Sequence, residues 1–102
     1  MKIATLSATA RDIQLALEGE LDLGTVDALH SAVAEAIAAG HERVIIVDLT
    51  DLSFCDSTGV NALVSCYNEA GAAGMPMRVT NAQDSVERVL RITGVWEMLS
   101  AH

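Results

Sequence analysis

Asp56, Ser57 and Thr58 carry the side chains best placed to do chemistry in this sequence, because they stand where an apolar strand gives way to a helix. Oxygens of Asp, Ser and Thr side chains satisfy the free backbone N–H groups at a helix start. Three such residues are more than one helix needs, which leaves a hydroxyl for another purpose. A phosphate on Ser57 would lie at the positive end of the helix dipole, among unpaired N–H donors. The fold should therefore survive phosphorylation, while the surface gains about −1.5 to −2 charges and three acceptor oxygens. A partner packed closely over Ser57 would then meet a desolvation cost and repulsion from its own acidic groups. Such a residue can switch binding without unfolding its domain.

No other set of reactive side chains makes a comparable case. His30, His41 and His102 fall at no metal-ligand spacing with Cys55 or Cys66, so no metal or other cofactor is expected. Cys55, beside the triplet, and Cys66, on the following helix, read as small packing residues rather than redox sensors. Ser57 lacks the Gly-x-Ser-x-Gly setting of a hydrolase nucleophile, and no histidine is placed to act as its base. Gly71-Ala72-Ala73-Gly74 lacks the Lys-Ser/Thr that completes a phosphate loop. A phosphoaspartate receiver built on Asp48 would need an early acidic pair and a late lysine, yet Lys2 is the only lysine. The chain is not expected to be an enzyme.

The elements that must hold the triplet follow from apolar periodicity. Residues 3–8 predict a first short strand, and the alternation Ile13, Leu15, Leu17 predicts a second, antiparallel to it across a hairpin at Ala10-Arg11-Asp12. Gly19-Glu20-Leu21-Asp22 ends that strand. A helix follows from Gly24 or Thr25, with Val26, Leu29, Val33 and Ile37 on one face, Asp27 in its first turn and Gly40 as its stop. Residues 44–49 form a near-continuous branched run, as a central strand covered on both faces requires. A polar loop then leads to a helix over 58–70 with Val60, Leu63, Val64 and Tyr67 inward. Residues 75–80 predict another strand, with Met77 and Val79 facing one way and Arg78 the other. A third helix over 83–92 presents Val86, Val89 and Leu90, with Asp84 and Glu87 resembling a capping box. Residues 95–99, after Gly94, suggest a short last helix. The order β-β-α-β-α-β-α-α implies a mixed sheet with helices packed against it.

Composition narrows the function further. The 102 residues suit one domain, and with one Trp, one Tyr and one Phe the core must come from aliphatic residues. Fourteen acidic residues against six Lys and Arg give a net charge of −8. That balance argues against nucleic acid, whose phosphates demand cationic partners, and against anionic membrane surfaces. It would attract a basic patch on another protein, and charge kept for solubility explains it equally well. No apolar run approaches the roughly 20 residues that cross a bilayer, and no apolar export segment follows Met1-Lys2. A cytoplasmic protein with reduced thiols is the expectation.

The stretch Asp51-Leu52-Ser53-Phe54-Cys55-Asp56-Ser57-Thr58-Gly59-Val60 resembles the signature of the anti-sigma factor antagonists, a family of STAS domains. Gly19-Glu20-Leu21-Asp22, then a helix, a strand and this loop, follow the family's order, and the likeness continues to Gly94-Val95. The resemblance implies an α/β fold: one STAS-like domain over residues 1–102, with a mixed sheet of about four to five strands and helices mainly on one face. It makes Ser57, directly after the motif aspartate, the phosphoacceptor. It further implies that an anti-sigma factor serine kinase binds the bare form, frees its sigma factor and phosphorylates Ser57 with ATP. A cognate serine phosphatase would reset the site. Asp22 falls in the family's partner-binding surface, with capping of the first helix as the alternative. Asp56 either orients the kinase complex or caps; Thr58 is either a weaker acceptor or a cap. Two positions depart from the family pattern: Thr58 replaces a commoner second serine, and Asn61 a frequent glycine, which bears on how closely a partner packs. A second reading is a STAS-type scaffold subunit of a transport complex, whose same surface binds without phosphorylation.

Overall fold

The computed structural model describes residues 1–40 and 42–101. Strands β1 (Lys2–Ala8) and β2 (Asp12–Leu21) form the expected antiparallel hairpin. Thr9 closes it: its hydroxyl oxygen accepts from the N–H groups of Arg11 and Asp12, each at 3.1 Å. Helix α1 (Val26–Ala39) returns the chain to β3 (Val44–Cys55), parallel to β2, and α2 (Ser57–Ala72) returns it to β4 (Met77–Thr80), parallel to β3. Helices α3 (Asp84–Ile92) and α4 (Trp96–Ser100) complete the chain. The sheet order is β1-β2-β3-β4, a four-stranded mixed sheet.

One aliphatic core holds these elements together. Ile13, Leu15 and Leu17 of β2 and Ile45, Val47 and Leu49 of β3 share it with Leu29 and Val33 of α1 and Leu63 of α2. Val86 and Leu90 of α3 and Leu99 of α4 enter the same cluster. The branched run of β3 therefore does not serve two apolar layers. Ile46 is buried but stands apart from that cluster, between Gln14 and Arg78 in the sheet register.

Several local expectations are corrected. Both β2 and β3 run past their predicted ends, so the polar loop before α2 is mostly strand. On α2 the buried face is Gly59, Val60, Ala62, Leu63, Cys66 and Ala70, whereas Val64 and Tyr67 are only half-buried. The capping box at α3 does not form: Gln83 is the N-cap, with no side-chain cap bond. Glu87 instead pairs with Arg91 at 2.8 Å, and Arg91 lies over the Trp96 ring. Gln83 reaches across to β3, its Nε2 donating to the Thr50 carbonyl at 2.8 Å. Among the described residues no helix is long and apolar enough to cross a membrane.

Candidate partner-binding site

The site is built where β2 and β3 finish together. Beyond Ala16 and Asp48 their register slips twice, pairing Glu18 with Asp51, Gly19 with Leu52, Glu20 with Phe54 and Leu21 with Cys55. Gly19 sits at φ 107°, a backbone geometry that side chains disfavour. The Ser53 hydroxyl donates to the Gly19 carbonyl at 3.0 Å and pins this irregular stretch. Leu49, Leu52 and Cys55 consequently all turn into the core at intervals of three. The paired ends, Leu21 and Cys55, are both buried.

From this platform the chain turns into α2. The Asp56 N–H donates to the Leu21 carbonyl at 3.3 Å. Asp56 is the N-cap: in extended conformation, its Oδ1 accepts from the Gly59 N–H at 2.9 Å. Gly59 lets the helix approach β2 closely, since a Cβ there would lie 2.6 Å from the Leu21 carbonyl oxygen and 2.9 Å from the Cys55 sulfur. The first turn of α2 is thereby wedged against the end of β2.

One aspartate does the capping, and Ser57 and Thr58 are left over. Ser57 opens the helix, is exposed, and among the described residues its hydroxyl has no hydrogen-bond partner. The expected capping role of Thr58 is not found: it is half-buried and makes no cap bond. Asn61 is exposed one turn beyond Ser57, on the same side of the helix. Because Ser57 and Thr58 lie in the first turn, their N–H groups have no intrahelical acceptor.

Asp22 follows directly on Leu21, so it neighbours the start of α2. Its Oδ1 accepts from the Gly24 N–H at 2.9 Å, and its own N–H donates to the Thr25 hydroxyl at 2.9 Å. Thr25 Oγ1 in turn donates to the Glu20 carbonyl at 2.8 Å. The N-cap of α1 is Thr25, without a side-chain cap bond. Asp22 thus braces the turn ahead of the helix rather than capping it, and it remains half-exposed.

Two residues that pattern reading passed over frame the site. Leu23, in the turn after Asp22, is 78% exposed, and Phe54, two residues before Asp56, is 46% exposed. Large apolar side chains in otherwise polar segments were the available signal. Glu18, Glu20 and Asp51 are exposed nearby on the same strand ends.

The thiols play a packing part. Burial, with Asp56 adding its negative charge, pushes the Cys55 thiol up to about 11. Burial, with Glu69, does the same for Cys66, also to about 11. Both are therefore protonated at neutral pH and poor nucleophiles. His30 Nδ1 lies 3.6 Å from the Cys66 sulfur, a juxtaposition between α1 and α2 that linear spacing did not suggest. No cluster of three potential metal ligands exists among the described residues; His41 and His102 lie outside them.

Residues 5–101 match the STAS domain. The chain belongs to the STAS domain family. It is 30% identical over 83 residues to an anti-sigma F factor antagonist from Paenibacillus polymyxa, covering 81% of this chain and 71% of that protein. Its fold superposes on the anti-sigma factor antagonist SpoIIAA in its unphosphorylated form with a TM-score of 0.78 and 26% identity, over 93% of this chain and 83% of that one. The Bacillus SpoIIAA in its phosphorylated form gives a TM-score of 0.70, also at 26% identity, over 92% of this chain and 85% of that one. The resemblance drawn from Gly19-Glu20-Leu21-Asp22 and the Asp56-Ser57 motif is thus borne out at the level of family and fold.

Proposed function

We propose that this STAS domain is an anti-sigma factor antagonist whose partner is an anti-sigma factor with serine kinase activity. The unphosphorylated protein binds that partner across Asp22, Asp56, Ser57, Thr58 and Asn61, and so frees a sigma factor. Transfer of a phosphate from ATP to the Ser57 hydroxyl ends the association, and a cognate phosphatase restores it. The observation that carries this reading is the state of Ser57: exposed, first in α2, and not needed as a cap because Asp56 takes that role.

The geometry supports a switch that spares the fold. The Ser57 hydroxyl leaves no internal bond unsatisfied when it is esterified. The new phosphate has the free amides of the helix start beside it. What changes is the contact surface, where apolar Leu23 and Phe54 stand among Asp22, Glu20 and Asp51. A partner matching that surface needs an apolar patch within a basic rim. An added dianion at its centre would be desolvated against the partner's apolar patch, away from the basic rim, and that cost opposes rebinding. An acceptor left free in this way favours the switch over a transport scaffold, which has no use for one.

Incubation with ATP and an anti-sigma factor serine kinase from the same organism, followed by intact-mass measurement, tests the assignment. A single phosphate should be gained, and Ser57→Ala should abolish it. Phosphate on Ser57→Ala at the unaltered rate would refute the assignment.

A further inference from the structure

We infer that Asn61 reads the state of Ser57: when Ser57 carries a phosphate, the Asn61 carboxamide donates a hydrogen bond to it and is withdrawn from the surface offered to a partner. The inference deepens the reading of Ser57 as a phosphoacceptor and rests on it. Ser57 is the first residue of α2, and the residues that face it from the next turn are Val60 and Asn61. Val60 is buried in the core, whereas Asn61 is exposed, as Ser57 is. Thr58, next in sequence, does not face Ser57. Asn61 is therefore the one polar side chain that the following turn of α2 places beside a group on Ser57.

The direction of the side chains favours the contact. Helical side chains lean toward the N-terminus, so Asn61 lies over the turn that Ser57 begins. Cβ atoms four residues apart on a helix are about 5–6 Å from one another. A phosphate ester carries the acceptors of residue 57 outward, and a carboxamide carries its donors a similar length from Cβ. Together they close the gap to the roughly 2.7–3.2 Å of a hydrogen bond.

The electrostatic setting gives this contact its weight. Residues 18–25 and 51–61, which build the site, contain no Lys or Arg, while the carboxylates of Asp22 and Asp56 stand in the same two segments. A phosphate there finds no side-chain cation in these segments. Asp56 already takes the Gly59 N–H at 2.9 Å, which leaves the amides of Ser57 and Thr58 for the phosphate. Those amides lie at the helix end, and the oxygen turned along α2 is met by the N–H donors of Asn61. A hydrogen bond to an ionised acceptor is about twice as strong as one between neutral groups. In the bare protein the carboxamide stays available to a partner. One modification thus adds charge to the contact surface and removes a donor from it.

The test uses the full chain with phosphoserine installed at position 57 during translation, so that no kinase is needed. NMR then follows the side-chain amide of Asn61 and the titration of the phosphate. On phosphorylation the Asn61 amide protons should move downfield and exchange more slowly with water. The phosphate, with an ordinary second pKa of about 6, should titrate about half a unit lower in the parent than in Asn61→Ala, because the bond favours the dianion. Asn61→Gln, which keeps the amide, should restore most of that difference. Asp22 and Asp56 oppose the dianion in parent and variants alike, so the comparison isolates residue 61. Its exposure lets all three proteins fold alike. An Asn61 amide unmoved by phosphorylation, or equal phosphate titration in the parent and Asn61→Ala, would overturn the inference. Because the phosphate is installed without a kinase, failure here leaves the kinase assay on Ser57 standing, and failure of that assay leaves this contact standing.

Discussion

Gly59→Ala should destabilise this protein, although the same replacement inside a helix ordinarily stabilises it by up to about 1 kcal/mol. The added methyl would sit 2.6 Å from the Leu21 carbonyl oxygen and 2.9 Å from the Cys55 sulfur. The first of these is backbone at the end of a paired strand, so it cannot swing aside. Relief requires α2 to back away from β2, which stretches the 3.3 Å bond from the Asp56 N–H to Leu21. Overpacking of this kind costs about 1–3 kcal/mol, and a backbone collision belongs at the upper end. After the propensity gain a net loss of about 2 kcal/mol remains, or on the order of 10 °C in Tm for a domain of this size. Gly71→Ala, near the other end of the same helix, meets nothing within 4 Å and should leave Tm unchanged or slightly raised. Thermal melts and urea titrations of both variants decide the matter. Equal stabilities for the two would refute the close-packing account of the site.

Further expectations concern the cap, the frame and the thiols. Asp56→Ala removes the 2.9 Å bond to the Gly59 N–H and should cost about 1 kcal/mol in urea unfolding, with Asp56→Asn largely sparing it. Leu23→Ala, at a residue 78% exposed, should alter stability by less than about 0.5 kcal/mol yet weaken partner binding. If a partner buries that side chain, the loss should approach about tenfold in a calorimetric titration. Cys55 and Cys66 titrate near 11 in the folded protein against a reference of 9.0. The unfolded chain therefore releases thiol protons first as pH rises, so stability should fall between about pH 9 and 11. Urea midpoints measured across that window should decline less steeply for Cys66→Ala than for the parent.

Most of the architecture was legible because it rests on ordinary periodicities. The alternation of Ile13, Leu15 and Leu17 marked β2, and Gly40 marked the end of α1, where it occupies φ 73° as the C-cap. The family followed from residues 51–60 taken with Gly19-Glu20-Leu21-Asp22. The ends of β2 and β3 were not legible, and the reason is physical. Register slips place Leu49, Leu52 and Cys55 inward at intervals of three, so the period of two that signals a strand disappears where the site is made. Capping was likewise ambiguous: Asp56, Ser57 and Thr58 all suit the role by type, and only geometry assigns it to Asp56 alone. At α3 the residue types suggested a reciprocal cap between Asp84 and Glu87, but Glu87 finds Arg91 one turn on. The close approach of Gly59 to Leu21 and the frame of Leu23 and Phe54 depend on distant segments meeting, which no local pattern encodes.

The most direct test of the proposed switch compares purified Ser57-phosphorylated and unphosphorylated protein against the proposed anti-sigma kinase partner by calorimetry, with the circular dichroism and thermal melt of each form measured alongside. The expected result is two nearly superimposable folded proteins, of which only the unphosphorylated one binds tightly, the other being weaker by on the order of a hundredfold. Matching affinities for the two forms, or a phosphorylated form that has lost its fold, would contradict the account.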